Sequence, residues 1–190
     1  RRPGGEIASY PVTESEQKDG VCFRVCAPAP ELSAEVSERA RALAETIAGD
    51  LGVVGMLAVE LFEYPDGRIA VNELAMRPHN TGHWSMDGCV TSQFEQHLRA
   101  VADLPLGDTT LTSPWTVMVN TLGDTRGNLA DGAREALAHD PGIKLHLYGK
   151  SVRSGRKLGH VTAMGMDRDD AERRARAAAH TIVSLKSAEE

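Results

Sequence analysis

Hydrophobic positions along this chain recur at two spacings, every second residue or every third to fourth, and the switches between them mark out the elements. Ile7 to Val12 predicts a strand, "GVCFRVCAP" (Gly20 to Pro28) a second, and the polar "TESEQKDG" between them the connection of a hairpin. From Pro30, "ELSAEVSERARALAETIAGDLG" sets Leu32, Val36, Leu43 and Ile47 on one helical stripe, with acidic residues near its start. Gly49 and Gly52 close that helix. "VVGMLAVELFEY" then predicts a strand, "PDG" a hairpin turn, and "RIAVNEL" the returning strand. An irregular polar loop follows. After it, "TSQFEQHLRAVADL" predicts a helix capped by Thr91 or Ser92, with Phe94, Leu98 and Val101 turned inward.

From Pro105 the pattern is shorter and looser. "WTVMVNTLG" predicts a strand and "NLADGAREALAHDPG" a short helix stopped by proline. "IKLHLYGK" predicts a strand alternating Ile143, Leu145 and Leu147 with Lys144 and His146. "SVRSGRK" makes a basic turn, "LGHVTAMGM" another strand, and "DRDDAERRARAAAHTIVSLK" a terminal helix. Together these predict an α+β chain in two parts, residues 1–108 and residues 109–190, with the boundary between Pro105 and Ser113. The second part is a small β-rich module.

Composition narrows the function classes. The 190 residues are 41% hydrophobic and 25% charged, with a formal net charge of −6, ordinary for one globular core or two small ones. The acidic balance argues against a nucleic-acid partner, because phosphate binding favours basic surface. The longest apolar stretch, Val53 to Val59, contains a glycine and is far too short to span a bilayer, so no membrane partner is expected. No charged-then-apolar leader opens the sequence, so no signal peptide is expected. Three cysteines, Cys22, Cys26 and Cys89, offer no disulfide framework and suit a reducing compartment, the cytoplasm. Cys22 and Cys26 face one side of a strand roughly 13 Å apart, too far to share a metal. Buried thiols packing as small hydrophobes are expected.

The chemistry concentrates around the turn at 65–67. Glu60 in "LAVELF" and Glu73 in "AVNEL" lie thirteen positions apart, so pairing about Pro65 to Gly67 sets them nearly opposite each other. Strands this apolar are expected to be half or fully buried, where a lone carboxylate neutralises. Two carboxylates side by side repel unless a cation lies between them, and hard oxygen ligands with vacant positions suit Mg²⁺ carrying phosphate oxygens. The plainer alternative is an ordinary hairpin whose glutamates face solvent. Directly after Glu73, "LAMRPHNTGH" crowds guanidinium, imidazole and amide groups into one loop. Such groups must hold one another or hold something else.

The run from "ELF" at Glu60 through "VNELAMRPHNTGHW" resembles the ATP-grasp enzymes, and within them the N5-carboxyaminoimidazole ribonucleotide synthetases. "GVCFRVCAPAP", "TSQFEQHLRAVADLPLG" and "HLYGKSVRSGRKLGHV" are similar to that family's pattern too, so the likeness covers nearly the whole chain. The resemblance implies the C-terminal half of an ATP-grasp domain, an antiparallel sheet with helices, followed by a small β-rich C-terminal module. It implies a ligase of purine biosynthesis. In that family ATP phosphorylates bicarbonate to carboxyphosphate. The amine of 5-aminoimidazole ribonucleotide captures that intermediate, or the CO₂ it releases, and a carbamate results.

By the same resemblance Glu60 and Glu73 hold Mg²⁺, with Mn²⁺ able to replace it, and Phe62, Asn72 and Glu73 contact ATP. Arg77, His79 and Asn80 form the bicarbonate pocket, where a planar guanidinium grips a small oxyanion through two hydrogen bonds. His83 braces the substrate side. Lys150, Arg156 and Lys157 meet the ribonucleotide, Lys150 in a catalytic role. Ala75 stands where many ATP-grasp relatives carry asparagine, which leaves the third metal ligand open. A homodimer is implied. A complete family member also has an N-terminal domain and an ATP-holding lid, so this chain is expected to be a C-terminal portion, inactive alone. Three alternatives stand beside this reading: another ATP-grasp carboxylate–amine ligase, a non-catalytic dimerisation module, and a metal-dependent hydrolase using Glu60, Glu73, His79 and His83.

Overall fold

A computed structural model describes residues 1–124 and 128–185. Strands β1 (Glu14–Lys18) and β2 (Val21–Ala27), helix α1 (Ala34–Asp50), and strands β3 (Ala58–Glu63) and β4 (Ile69–Ala75) come first. A 3₁₀ turn at Asn80–Gly82 and the short helix α2 (Ser85–Gly88) lead to α3 (Gln93–Val101). Then follow β5 (Trp115–Leu122), α4 (Leu129–His139), β6 (Lys144–Leu147), β7 (Lys157–Gly165) and α5 (Arg168–Ser184). Lys186, the last residue of the predicted terminal helix, lies outside the described residues. The chain divides into two units, one of residues 1–14 and 27–112, the other of residues 15–26 and 113 onward.

In the first unit, α1 starts where the Ser33 hydroxyl accepts from the Val36 N–H at 3.2 Å. It ends on Gly52, whose φ of +60° lets its own N–H reach Gly49 O and the Val53 N–H reach Ala48 O, both at 3.0 Å. Glycine adopts that left-handed conformation without strain. Strands β3 and β4 form a two-stranded antiparallel sheet. The strand predicted from Val53 begins only at Ala58, because Gly55 turns at φ +111° and the Met56 N–H goes to His97 Nδ1 at 3.0 Å. The hairpin is also less buried than its composition predicts: Phe62, Val71 and Leu74 are exposed. A sheet of two strands has few neighbours to bury against, and here α1 packs on β3.

Two further expectations fail in this unit. No strand forms over Ile7 to Val12, where Pro11 lacks an N–H and the other groups are tied one at a time. The Tyr10 hydroxyl donates to Thr91 O, Thr109 Oγ1 donates to Ser9 O, and the Ala29 N–H bonds Val12 O, each at 2.8 Å. Helix α3 is capped by Ser92 as predicted, yet Phe94, Leu98 and Val101 are exposed while Gln93, Gln96 and Ala100 are buried. The Gln96 amide exchanges two bonds with the Gly107 backbone, at 2.7 and 2.8 Å. A glutamine satisfied on both atoms costs little to bury, so an amide stripe takes the inward face.

In the second unit, "ESEQK" is strand β1 rather than a connection. It turns into β2 through Asp19 and Gly20, both at positive φ (52° and 74°), as a tight two-residue hairpin requires. Its glutamate Glu16 pairs with Arg24 at 2.9 Å and Arg176 at 2.6 Å, which hold that carboxyl below the usual carboxylate range. The five-stranded sheet runs β1-β2-β5-β7-β6, with β7 antiparallel to both β5 and β6. Strand β7 is thus inserted between the two strands that α4 connects. Cys22 and Cys26 are buried thiols here, and Cys89 is one in the first unit. The core joins Val117, Val119, Val161 and Ala163 to the alanine face of α5.

Helix α4 lies tight against α5 at Gly132, where a Cβ would stand 2.5 Å from the Ile182 carbonyl oxygen. Backbone cannot swing aside as a side chain does. Gly132→Ala is expected to destabilise by about 1–3 kcal/mol through overpacking, although alanine is the better helix former by about 1 kcal/mol. Urea unfolding checks this, and wild-type stability would show that α4 withdraws freely. Asp140, after α4, receives Arg174 Nε at 2.7 Å and Nη2 at 3.1 Å, and these bonds hold its carboxyl below the ordinary range. Since the folded value is depressed, the pair stabilises above about pH 4 and loses its effect as pH falls further. Arg174→Met is expected to cost about 1–3 kcal/mol at pH 7 and progressively less in acid. An equal loss at pH 7 and pH 2.5 would exclude the pair as the cause.

Candidate functional site

The β3–β4 register sets Glu60 opposite Glu73 and Ala58 opposite Ala75, then slips so that Leu61 meets Val71. Asn72 is the extra residue of a β-bulge. Register partners project from the same face of an antiparallel pair, so the two carboxylates share a face. The bulge re-aims a side chain that regular alternation would send to the far face. Asn72 Nδ2 accordingly donates to Glu60 Oε2 at 3.2 Å. His79 Nε2 lies 3.7 Å from the other oxygen, Glu60 Oε1. The Glu60 and His79 side chains retain 26% and 12% of their exposure, whereas Glu73 is open to solvent. Asn72, Glu73 and Ala75 close β4 in one short stretch, and Ala75 offers no ligand atom there.

The loop after β4 is held from beneath. His79 caps the 3₁₀ turn, its Nδ1 accepting from the Thr81 N–H at 3.4 Å and lying 2.8 Å from the Thr81 hydroxyl. A backbone N–H only donates, so the ring proton belongs on Nε2, the nitrogen that faces Glu60. Asn80 opens the turn, and its carbonyl accepts from the His83 N–H at 3.1 Å. Arg77 is exposed and curls back to donate to Pro78 O at 3.1 Å. His83 stacks on Phe94 with ring centres 5.5 Å apart.

Sequence reasoning missed the residue beneath this loop, Gln93. Its Oε1 accepts from the His79 N–H at 2.9 Å, and its Nε2 lies 2.8 Å from His79 O and 2.7 Å from His83 Nδ1. Ser85 Oγ accepts from the Gln93 N–H at 2.9 Å and donates to Gly82 O at 2.6 Å. The signal was present: Gln93, Gln96 and Ala100 are themselves spaced three and four apart.

Lys150, Arg156 and Lys157 belong to the second unit and are described there by themselves. Lys150 Nζ stands 5.1 Å over the Tyr148 ring. The Tyr148 hydroxyl lies 2.7 Å from His160 Nδ1, and His160 stacks on His146 at 4.7 Å. Burial pushes the Tyr148 phenol up to about 12. Arg156 Nη1 donates to Ser151 Oγ at 2.9 Å, and Lys157 opens β7. The basic loop is tied down at Gly123, whose N–H bonds Arg156 O at 2.7 Å and whose carbonyl accepts from the Gly155 N–H at 3.0 Å.

The donor set of the first unit is oxygen-rich: two carboxylates on one face and an amide beside them. Among the described residues no group of three or more His, Cys, Asp or Glu side chains gathers as a metal site. Such a pair suits a hard cation that takes its remaining ligands from water or phosphate. It does not suit a hydrolytic zinc set, and His83 is engaged with Gln93 and Phe94 instead. Among the described residues no helix is long and apolar enough to cross a membrane.

Residues 1–94 match the family model of the ATP-grasp domain, and residues 116–174 match that of the phosphoribosylaminoimidazole carboxylase C-terminal domain. The N5-carboxyaminoimidazole ribonucleotide synthase of Corynebacterium ammoniagenes is 53% identical over 191 residues, covering 97% of this chain and 46% of that protein. Its counterpart in Mycobacterium tuberculosis H37Rv is 50% identical over 185 residues, covering 96% and 43%. A solved ADP complex of N5-carboxyaminoimidazole ribonucleotide synthetase matches with a TM-score of 0.86 at 40% identity, covering 95% of this chain and 46% of that one. The Aspergillus clavatus synthase, solved with ADP and 5-aminoimidazole ribonucleotide, matches at 0.84 and 32% identity, covering 97% and 50%. This chain therefore spans about half the length of the relatives it matches. It belongs to the ATP-grasp superfamily, in the N5-carboxyaminoimidazole ribonucleotide synthase family that its polar loop had resembled.

Proposed function

We propose that this chain carries the metal and bicarbonate side of an ATP-dependent ligase that carboxylates 5-aminoimidazole ribonucleotide in purine biosynthesis. The observation behind this reading is the Glu60–Glu73 register pair, with Asn72 and His79 turned onto the same glutamate. Solved relatives in complex with ATP or with ADP and 5-aminoimidazole ribonucleotide support the nucleotide and the ribonucleotide, and bicarbonate is the proposal's own addition. A bicarbonate oxygen attacks the γ-phosphorus of ATP as the bond to ADP breaks, giving carboxyphosphate. The exocyclic amine then bonds to its carbon, or to the CO₂ it releases, losing a proton as phosphate departs.

Within that scheme Glu60 and Glu73 would hold Mg²⁺, or Mn²⁺ in its place, which when bound would supply charge neutralisation for phosphoryl transfer. Asn72 fixes one oxygen of Glu60 and so orients the other. Arg77 swings from the Pro78 carbonyl to grip bicarbonate, with Asn80 and the Nε2–H of His79 fixing its remaining oxygens. The exposed Phe62 ring serves as part of the adenine wall. Lys150 neutralises the carboxylated centre, Arg156 and Lys157 meet the ribonucleotide phosphate, and His83 braces the bicarbonate loop. We assign the protein to the cytoplasm as a homodimer. A different carboxylate–amine ligase would share Glu60 and Glu73 and differ over Arg77 to His83.

The reading is tested by placing this chain in the Corynebacterium ammoniagenes synthase in exchange for its matching 191 residues. ADP release is expected to depend on both bicarbonate and the ribonucleotide. Glu60→Gln and Glu73→Gln are each expected to lower kcat about 10²–10³-fold. Wild-type turnover by either variant would sink the metal assignment. Arg77→Lys, which keeps the charge and loses the planar fork, is expected to raise the KM for bicarbonate about tenfold with little change in the KM for ATP. An equal change in both would place Arg77 outside the anion cradle. The 190-residue chain alone is expected to release no ADP.

A further inference from the structure

We infer that Gln93 is the positioning residue of the Glu60–His79 site, and that its buried amide dictates which nitrogen of His83 carries the proton. This rests on the reading of Glu60 and His79 given above. Gln93 keeps 2% of its exposure, so each of its polar atoms needs a partner inside the protein. Its amide has one acceptor atom and two N–H donors. Oε1 takes the His79 N–H, and Nε2 gives one hydrogen to the His79 carbonyl.

Flipping the amide would set Nε2 against an N–H and Oε1 against a C=O, forfeiting two buried bonds at once. The peptide of His79 therefore fixes the amide's orientation. The second Nε2 hydrogen must then point at His83 Nδ1, 2.7 Å away. His83 Nδ1 accepts, and its proton sits on Nε2. The Phe94 stack holds the ring in plane for that bond.

The same residue spans the rest of the loop. Its own N–H bonds Ser85 Oγ, whose hydrogen goes to Gly82 O. A Cβ at Gly82 would stand 2.3 Å from Gln93 Oε1, so the loop lies directly on the amide. With both main-chain groups of His79 clamped, its ring is carried to 3.7 Å from Glu60 Oε1. Gln93 thus acts on the site through His79.

Two measurements on the ¹⁵N-labelled 190-residue chain at pH 8 test this. Long-range ¹H–¹⁵N spectra are expected to show His83 as the Nε2–H tautomer. Gln93→Glu puts an acceptor where the donor was and is expected to convert His83 to Nδ1–H. An Nδ1–H tautomer in the wild type, or no change in Gln93→Glu, overturns the inference. Added Mn²⁺ is expected to broaden the His79 ring signals, and Gln93→Leu to weaken that effect at least fivefold. Undiminished broadening in Gln93→Leu overturns the positioning role. If Gln93→Leu does not fold, the nearly isosteric Gln93→Glu carries the same titration. Absence of any Mn²⁺ effect on the wild type refutes the metal reading instead, and the tautomer result then decides the role of Gln93.

Discussion

Carboxylates placed on register partners of an antiparallel pair leave the backbone on one face, with Cβ atoms about 4.5–5.5 Å apart. Glu60 and Glu73 are held in that relation by main-chain bonds of β3 and β4, with Gly67 at φ +78° completing the turn between them. Like charges on one face repel as far as solvent leaves them unscreened, and a cation or a set of donors relieves that. The structure supplies part of that relief from the protein itself: an amide on one oxygen of Glu60 and an imidazole N–H toward the other. Glu73 remains exposed. Half of this pair is satisfied by the protein's own side chains, and the other half is the kind of oxygen donor that a hard cation accepts.

The bulge at Asn72 and the clamp at Gln93 solve one problem at two levels. Regular strand alternation would send Asn72 away from Glu60, and one inserted residue brings it back. A loop of charged and polar residues would otherwise sample many arrangements, and one buried glutamine confines its backbone. Both devices spend main-chain irregularity to fix side-chain direction, which is what a binding constellation needs.

Some of this was legible in the sequence and some was not, for identifiable reasons. The facing of Glu60 and Glu73 could be read because a "PDG" turn fixes hairpin register and side chains alternate with period two. The bulge could not, since one inserted residue leaves no mark on hydrophobic spacing. Helix α3 was readable in extent and cap but not in facing: Phe94, Leu98 and Val101 make the more obvious stripe, yet Gln93 and Gln96 are buried because each amide finds backbone partners. Burial follows hydrogen-bond satisfaction as well as apolarity, and satisfaction is a tertiary property. Strand β1 was invisible for the opposite reason. Its "ESEQK" has no apolar alternation, because its pairing with β2 and the Glu16 ion pairs do the work a buried face does elsewhere.

Each unit repeats one construction at its charged loop. In the first, Gly82 lies where a Cβ would stand 2.3 Å from Gln93 Oε1; in the second, Gly123 lies where one would stand 2.3 Å from the Arg153 carbonyl oxygen. In both cases a missing side chain lets a loop approach its support closely enough for main-chain bonding. The consequence is chemical. Once backbone groups hold the loop, the charged side chains on it are no longer needed for its stability. Arg77 and Lys150 are both exposed, the first on the neighbouring Pro78 carbonyl and the second over the Tyr148 ring face, and such contacts are weak. Rigid backbone under loosely held charge fixes where each charged side chain starts and leaves its head in solvent.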